Sequence, residues 1–329
     1  MVKTKKQKVT DFLINNGVII VMFILVIYTG LTSNNFFTTN NIFNILNNMS
    51  PRLVIALGIA GCVITGGCDL SAGRMIGLGG CIAGVLLQRI DYSQKFFPGM
   101  EPLNIAVVAL IAMLICALFG SVTGFFIAFL NVPPFIATLA MMEIVYGINM
   151  IFTNAAPLGG YVTQYTNIAT GKFFGLSFLV WIAIAVAAVS WFIFNMTRHG
   201  KYMYAIGGNV QAAEVAGVPV KLTLVLIYMK AAALYGLAGY MLGAKAGGAS
   251  VQTGFGYEME AIAACTIGGV SVTGGRGKVS SAIIGVAVFE LLKVALQYLG
   301  MDANAQWIAI GIVILIAISL DIRKYIAKK

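Results

Sequence analysis

Apolar runs alternate along this chain with short polar or glycine-rich breaks, and the length of each run decides what it is. Read by apolar length and periodicity, ten segments stand out, at about 17–32, 52–66, 73–88, 103–130, 134–153, 176–195, 221–243, 258–271, 278–299 and 304–320. A helix crossing a bilayer wants about 20 apolar residues. The pattern predicts an all-α polytopic membrane protein with about ten transmembrane helices, forming one membrane domain over residues 1–329. An even number of crossings puts both termini on the same side.

Two of the runs, 52–66 and 73–88, are short for a crossing. Between them lies GGCDLSAGR, Gly66–Arg74, which places an aspartate and an arginine in a glycine-rich break. Polar backbone at membrane depth is tolerated only where it packs against protein or lines a cavity. Short, glycine-broken segments therefore point to a translocation pathway. The pattern returns as GGVSVTGGR, Gly268–Arg276, which predicts two related halves and leaves direct and inverted repeats both open. The spacings Gly80/Gly84, Gly120/Gly124 and Gly239/Gly243 would let helices approach closely.

Composition agrees with the pattern. The 329 residues are 60% hydrophobic and only 10% charged, with a mean hydropathy of +0.93, whereas soluble domains carry about 25% charged residues. The net charge of +10 would suit nucleic acid, but no domain presents it as a patch. Lys3, Lys5, Lys6 and Lys8 precede the first run, and Arg323, Lys324, Lys328 and Lys329 follow the last, as cytoplasmic flanks do. With cytoplasmic termini, inner segments hold 14 cations. The outer ones hold 5, namely Arg52, Arg89, Lys95, Lys172 and Lys245. The basic start followed by an apolar stretch is similar to a signal peptide. LTSNNFFTTNN follows it without a small-residue cleavage site, so an uncleaved first span is expected.

Two loops carry features of their own. The inner one, about 195–220, contains NVQAAEVAG, which reads as a short helix with Asn209 as N-cap and with Gly217 and Pro219 as its stop. The outer one, about Asn154–Gly175, places Tyr161 and Tyr165 where tyrosines suit a membrane interface.

Catalytic chemistry is thin. No HExxH, GxSxG or hydrolytic carboxylate pair occurs, and the cysteines at 62, 68, 81, 116 and 265 match no zinc or disulfide spacing. No metal, cofactor or catalytic residue is expected. His199, beside Arg198, reads as a solvated loop histidine. Gly277-Lys278-Val279 lacks the upstream glycine and the Ser/Thr of a phosphate-binding loop, so ATP is not hydrolysed here by that route. Four ionisable groups fall inside runs: Glu143, Lys230, Glu290 and Lys293. Glu290 and Lys293, three apart, are expected to pair locally, and Glu143 and Lys230 either pair across helices or lie near an end. For Asp69, a pathway or gating role and helix capping with Ser71 stay open together.

GGCDLSAGR and AIGGNVQAAEVAGV resemble the membrane subunits of carbohydrate ABC importers of the ribose/galactose type, and the resemblance runs over nearly the whole length. NVPPFIATLAMMEIVYGIN (Asn131–Asn149) and EAIAACTIGGVSVTGG (Glu260–Gly275) are similar to its galactose/methyl-galactoside branch. Cys68 departs from it, since threonine is expected there. The resemblance implies a multi-pass permease of the bacterial plasma (inner) membrane that imports a monosaccharide. Its implied partners are a second permease copy, a cytoplasmic ATPase, an extracytoplasmic sugar-binding protein and membrane lipid. It implies a coupling segment toward the ATPase formed by Arg198, Gly207, Gly208, Asn209, Ala212, Ala213, Glu214 and Gly217. Ala212, Ala213 and Ala216 would allow close docking, and Gly207 and Gly208 would let the chain turn away from the span. Candidate pathway or gating residues are Asp69, Ser71, Asn131, Pro134, Thr138 and Asn149. A ribose or xylose cargo, an ion-coupled carrier and an intramembrane enzyme are the alternatives.

Overall fold

In a computed structural model of the chain, residues 20, 22–33 and 35–326 are described, 320–326 by backbone alone. The lysines at 3, 5, 6, 8, 328 and 329 and the start of the first span lie outside them. Thirteen helices are introduced here in chain order: α1 (Met22–Thr32), α2 (Thr39–Ile64), α3 (Ala72–Leu86), α4 (Ile105–Phe129), α5 (Pro134–Thr153), α6 (Thr163–Thr170), α7 (Phe178–Met196), α8 (Arg198–Gly208), α9 (Val210–Val215), α10 (Val220–Ala246), α11 (Tyr257–Ile267), α12 (Val279–Tyr298) and α13 (Ala303–Ile326). Six of them (α2, α4, α5, α7, α10 and α12) are long and apolar enough to cross a membrane, and α1, α3 and the Ala303–Ser319 part of α13 are shorter apolar helices. Each of the ten expected segments coincides with a helix. The 258–271 segment is only the 11-residue α11. Among the described residues the helices are joined by an antiparallel two-stranded ribbon, β1 (Lys172–Phe173) with β2 (Leu176–Ser177), and by two isolated bridges, Gln88 with Tyr161 and Leu158 with Ala249.

The bundle is built inside out relative to a soluble protein. On α4, Leu110, Leu114 and Leu118 recur at four-residue spacing and are 57%, 65% and 66% exposed. Such an apolar stripe is stable only against lipid or a partner. At the centre, glycines and alanines let the helices close up around a few large buried rings, Tyr228 and Tyr235 among them. α10 packs against α4, α3 and α2, and its glycines and those of its neighbours meet backbone to backbone. A Cβ on Gly124 would lie 2.7 Å from Val225 Cα, and one on Gly239 would sit 2.7 Å from Gly80 N. Lipid offers no hydrophobic drive between helices, so this close van der Waals contact supplies the attraction. Of the glycines in the spacings read from the sequence, Gly80, Gly120, Gly124 and Gly239 lie at such seams, while Gly84 and Gly243 face Tyr161 and Tyr165 of the 154–175 connection.

α2 begins 13 residues earlier than the run at 52–66. Thr38 caps it by accepting from Asn41 N, and the helix continues through Pro51. Its first half, TNNIFNILNN, is asparagine-rich; from Leu53 to Ile64 every residue is buried. The polar half reads as a loop because asparagine and an interior proline both disfavour helix. Tyr161 and Tyr165 face the protein interior rather than its surroundings. They are 7% and 0% exposed, and their hydroxyls donate to Leu158 O at 3.1 Å and Tyr240 O at 2.6 Å. These bonds anchor the long 154–175 connection into the bundle.

Candidate functional site: a glycine junction beneath a coupling segment

The two glycine motifs, far apart in sequence, meet in space. α2 ends at Ile64, and Gly275 N donates to Ile64 O at 2.8 Å. Gly274 and Gly275 hold φ of +87° and +73°, a left-handed turn that side chains resist. A Cβ on Gly274 would stand 3.1 Å from Gly66 N. The third member is α8. On Gly207 a Cβ would overlap Ile64 O and lie 2.6 Å from Gly275 N. Gly207 is helical, so it serves close approach rather than the turn expected of it. Tyr204, one turn earlier, adds a bond to Gly277 O at 2.8 Å.

α8 itself was not legible as a helix separate from the 195–220 loop. Thr197 caps it, accepting from Gly200 N at 3.2 Å, and that Thr-x-x-Gly start gives a weaker signal than the asparagine of α9. At α9 the reading holds. Asn209 Oδ1 accepts from Ala212 N at 2.9 Å. Gly217 has φ +80°, and Val218 N bonds back to Ala213 O at 3.0 Å, closing a left-handed C-cap. Ala212, Glu214, Ala216 and Gly217 are exposed, as are Arg198, Gly208 and Asn209. Ala213 differs: it is buried with Ile206 and Val220 and fastens α9 to its own chain. Val215 is 91% exposed.

His199 is half-buried rather than solvated. It shares with Lys230, Gly58, Gly61 and Phe194 a cavity of about 50 Å³ between α2, α7 and α10. Burial, then the Lys230 charge, lowers its pKa to about 4.

Asp69 and Ser71 close the first break on itself. Asp69 Oδ1 accepts from Ser71 N at 3.0 Å and Ser71 Oγ at 2.6 Å, both residues are buried, and Ser71 makes no capping bond of its own. Pro134 lies against this break, 3.5 Å from a Cβ on Gly67. Thr138, fully buried, donates to Pro134 O at 2.8 Å. Asn149 is elsewhere, buried beside Gly77 with Oδ1 unbonded, and Asn131 is exposed between α4 and α5 with φ +53°. Of the six pathway candidates, Asp69, Ser71 and Pro134 therefore meet at the break, Thr138 is tied to Pro134 within α5, and Asn131 and Asn149 lie apart.

Two polar constellations escaped the sequence. On α5, Glu143 is exposed midway along the helix. One turn on, the Tyr146 ring carries the Arg74 guanidinium 4.1 Å from its centroid. Gln252 bridges them, accepting from Arg74 at 3.0 Å and donating to Tyr146 Oη at 3.2 Å. At the other end, Arg52 binds Glu290 at 2.7 Å and Glu260 at 3.4 Å, and Lys293 binds Glu260 at 2.6 Å. The expected local Glu290–Lys293 pair is replaced by this four-residue network, because Arg52 reaches Glu290 from α2 while Glu260 on α11 claims Lys293. Neither Glu143 nor Lys230 joins an ion pair among the described residues. Arg52, Arg74 and Lys245, counted among loop cations, lie within helices α2, α3 and α10.

Residues 41–318 match the family model described as branched-chain amino acid transport system / permease component. The chain is 40% identical over 331 residues to the galactose/methyl galactoside import permease protein MglC of Escherichia coli (strain K12), covering 98% of each. It is 41% identical to the protein of that name in Haemophilus influenzae, covering 99% of each. To the ribose import permease protein RbsC of Escherichia coli (strain K12) it is 34% identical, covering 93% of each. No solved structure matches it.

Proposed function

The chain belongs to the branched-chain amino acid transport system / permease component family, and from that premise we propose that it is the membrane subunit of an ATP-driven sugar importer in a bacterial inner membrane. Its cargo is galactose or a methyl galactoside, the compounds named in its 40%-identical relatives. ATP is hydrolysed on a separate cytoplasmic subunit, and an extracytoplasmic binding protein delivers the sugar. Both termini and the α8–α9 segment face the cytoplasm.

The observation that carries the mechanism is the glycine junction. α9 projects exposed, and α8 below it touches both α2 at Ile64 and the Gly274–Gly275 turn through backbone. A push on α9 by a closing ATPase dimer is delivered to both glycine breaks without a flexible side chain between. The exposed Glu143 face of α5 lines a pathway shared with a second copy, the arrangement that spares this charge from lipid. Access then switches as nucleotide shifts the population between inward- and outward-open states.

Reconstitution tests this reading. Vesicles holding the permease, its ATPase and its binding protein accumulate galactose only with ATP. Sugar flux driven by an ion gradient in vesicles lacking the ATPase would overturn it.

A further inference from the structure

Beside the charge network lie two adjoining cavities that the mechanism above does not use. One, of about 300 Å³, is walled by Arg52, Tyr257, Glu290, Lys293 and Trp307. The other, of about 350 Å³, is walled by Asn41, Asn44, Asn47, Thr170 and Tyr298. They share Asn48, Lys245 and Gln297, and Lys245 Nζ donates to Asn48 Oδ1 across the seam. Each is within the size range of small-molecule sites, about 300–1,000 Å³.

We propose that these cavities form one weak binding site for a neutral monosaccharide, at the end of the bundle where α2 begins. The proposal rests on the sugar-import reading and adds to it a site on the permease itself.

The wall chemistry selects the ligand. Asparagine and glutamine amides each carry donors and an acceptor, the complement of a sugar hydroxyl. Asn41, Asn44 and Asn48 fall at i, i+3 and i+7, so one face of α2 presents them together. Asn41 Nδ2 donates to Phe36 O at 2.7 Å and Asn48 Oδ1 accepts from Lys245 Nζ, so the amides offered to a ligand are chiefly those of Asn44 and Gln297. An apolar ligand that covered them would leave them unbonded, which is costly. The charges are largely spent on each other. Glu260 and Glu290 neutralise Arg52 and Lys293, and the one further cation, Lys245, which lines both cavities, is held by the Asn48 amide oxygen and opposes a cationic ligand. Trp307 supplies the aromatic wall. It is 51% exposed, and one edge of its ring rests on Gly256, 3.0 Å from a Cβ placed there. Its free face suits the apolar CH face of a pyranose. The site is weak because a transported ligand must leave as well as enter.

Trp307 is also the reporter. With Trp181 and Trp191 changed to Phe, it is the sole tryptophan in the full chain. Galactose and methyl galactoside should change its fluorescence saturably, with a Kd on the order of 1 mM. Gln297→Leu and, independently, Asn44→Leu, both at exposed positions, should weaken this at least tenfold. ATP-driven uptake is measured on the same preparation in the reconstituted complex. Absence of a saturable sugar signal while uptake is normal would overturn the site and leave the importer standing. A response to inorganic phosphate or to phosphatidylglycerol vesicles in place of sugar would assign the cavity to an anion and also overturn it. Sugar binding at Trp307 without ATP-driven uptake would keep the site and overturn the importer.

Discussion

The two ends of this bundle are held by opposite means. Along the first half of α2, as far as Arg52 at its midpoint, Arg52, Glu260, Glu290 and Lys293 from three helices tie the structure through long, desolvated side chains around open cavities. Where α2 ends, Ile64, Gly207 and Gly275 meet through backbone, with no charge and no room for a methyl group. Side-chain ion pairs can exchange partners as helices shift, and they tolerate water nearby. Backbone-on-backbone contact cannot stretch, so it passes displacement on. The first end suits binding and the second suits transmission.

The largest expected effect comes from breaking the first end. Arg52→Met leaves Glu290, 2% exposed on its side chain, without its partner, and removing one member of a buried pair costs about 3–5 kcal/mol. A thermal or denaturant unfolding series in detergent should show that loss. Arg52→Met combined with Glu290→Gln should recover most of it, and an unrecovered double variant would mean the arginine acts by packing alone.

Next is the glycine junction. Gly207→Ala drives a methyl into Ile64 O, an overpacking that costs about 1–3 kcal/mol. It should also reduce ATP-driven uptake by more than tenfold. Gly208→Ala, one residue on with nothing within 4 Å, should leave both near wild type. Equal behaviour of the two alanines would dissolve the contrast between the ends.

A milder disturbance is Val215→Asp, on the most exposed side of α9. It should lower uptake about tenfold by weakening ATPase docking, a loss near 1.4 kcal/mol, while leaving the melting temperature unchanged. Unaltered uptake would remove α9 from the coupling contact.

The smallest effect is a pH slope from His199. Its pKa in the folded chain, about 4, lies below the ordinary value near 6.5. Between these values the unfolded state binds the extra proton, so stability should fall as pH drops from about 6.5 toward 4. Melting temperatures across that window should decline, and His199→Gln should flatten the slope.

The sequence made local and repetitive features legible and left long-range pairings hidden. The ten apolar runs, the glycine seams and the Asn209–Gly217 helix all rest on short spacing rules, and each falls on a matching element. The Glu290–Lys293 pair looked local because spacing shows only neighbours on the same helix; Arg52 reaches Glu290 from 238 positions away. The asparagine half of α2 and the buried Tyr161 and Tyr165 were misread for a related reason. Polarity signals exposure until a cavity or a carbonyl elsewhere satisfies it. The joining of the two glycine motifs through Gly207 depends on three segments meeting, and no one of them states it.

In this geometry α8, α9 and both glycine breaks move as one body relative to the opposite end. Paired spin labels on the reconstituted complex, with Cys68 replaced by serine, measure this directly. One pair joins Ala212 to Thr273 within the junction, and the other joins Ala212 to Asn44 at the far end. On adding ATP, the Ala212–Thr273 distance should hold while the Ala212–Asn44 distance shifts. A change confined to Ala212–Thr273, with the long distance fixed, would mean that the junction itself flexes and transmits nothing.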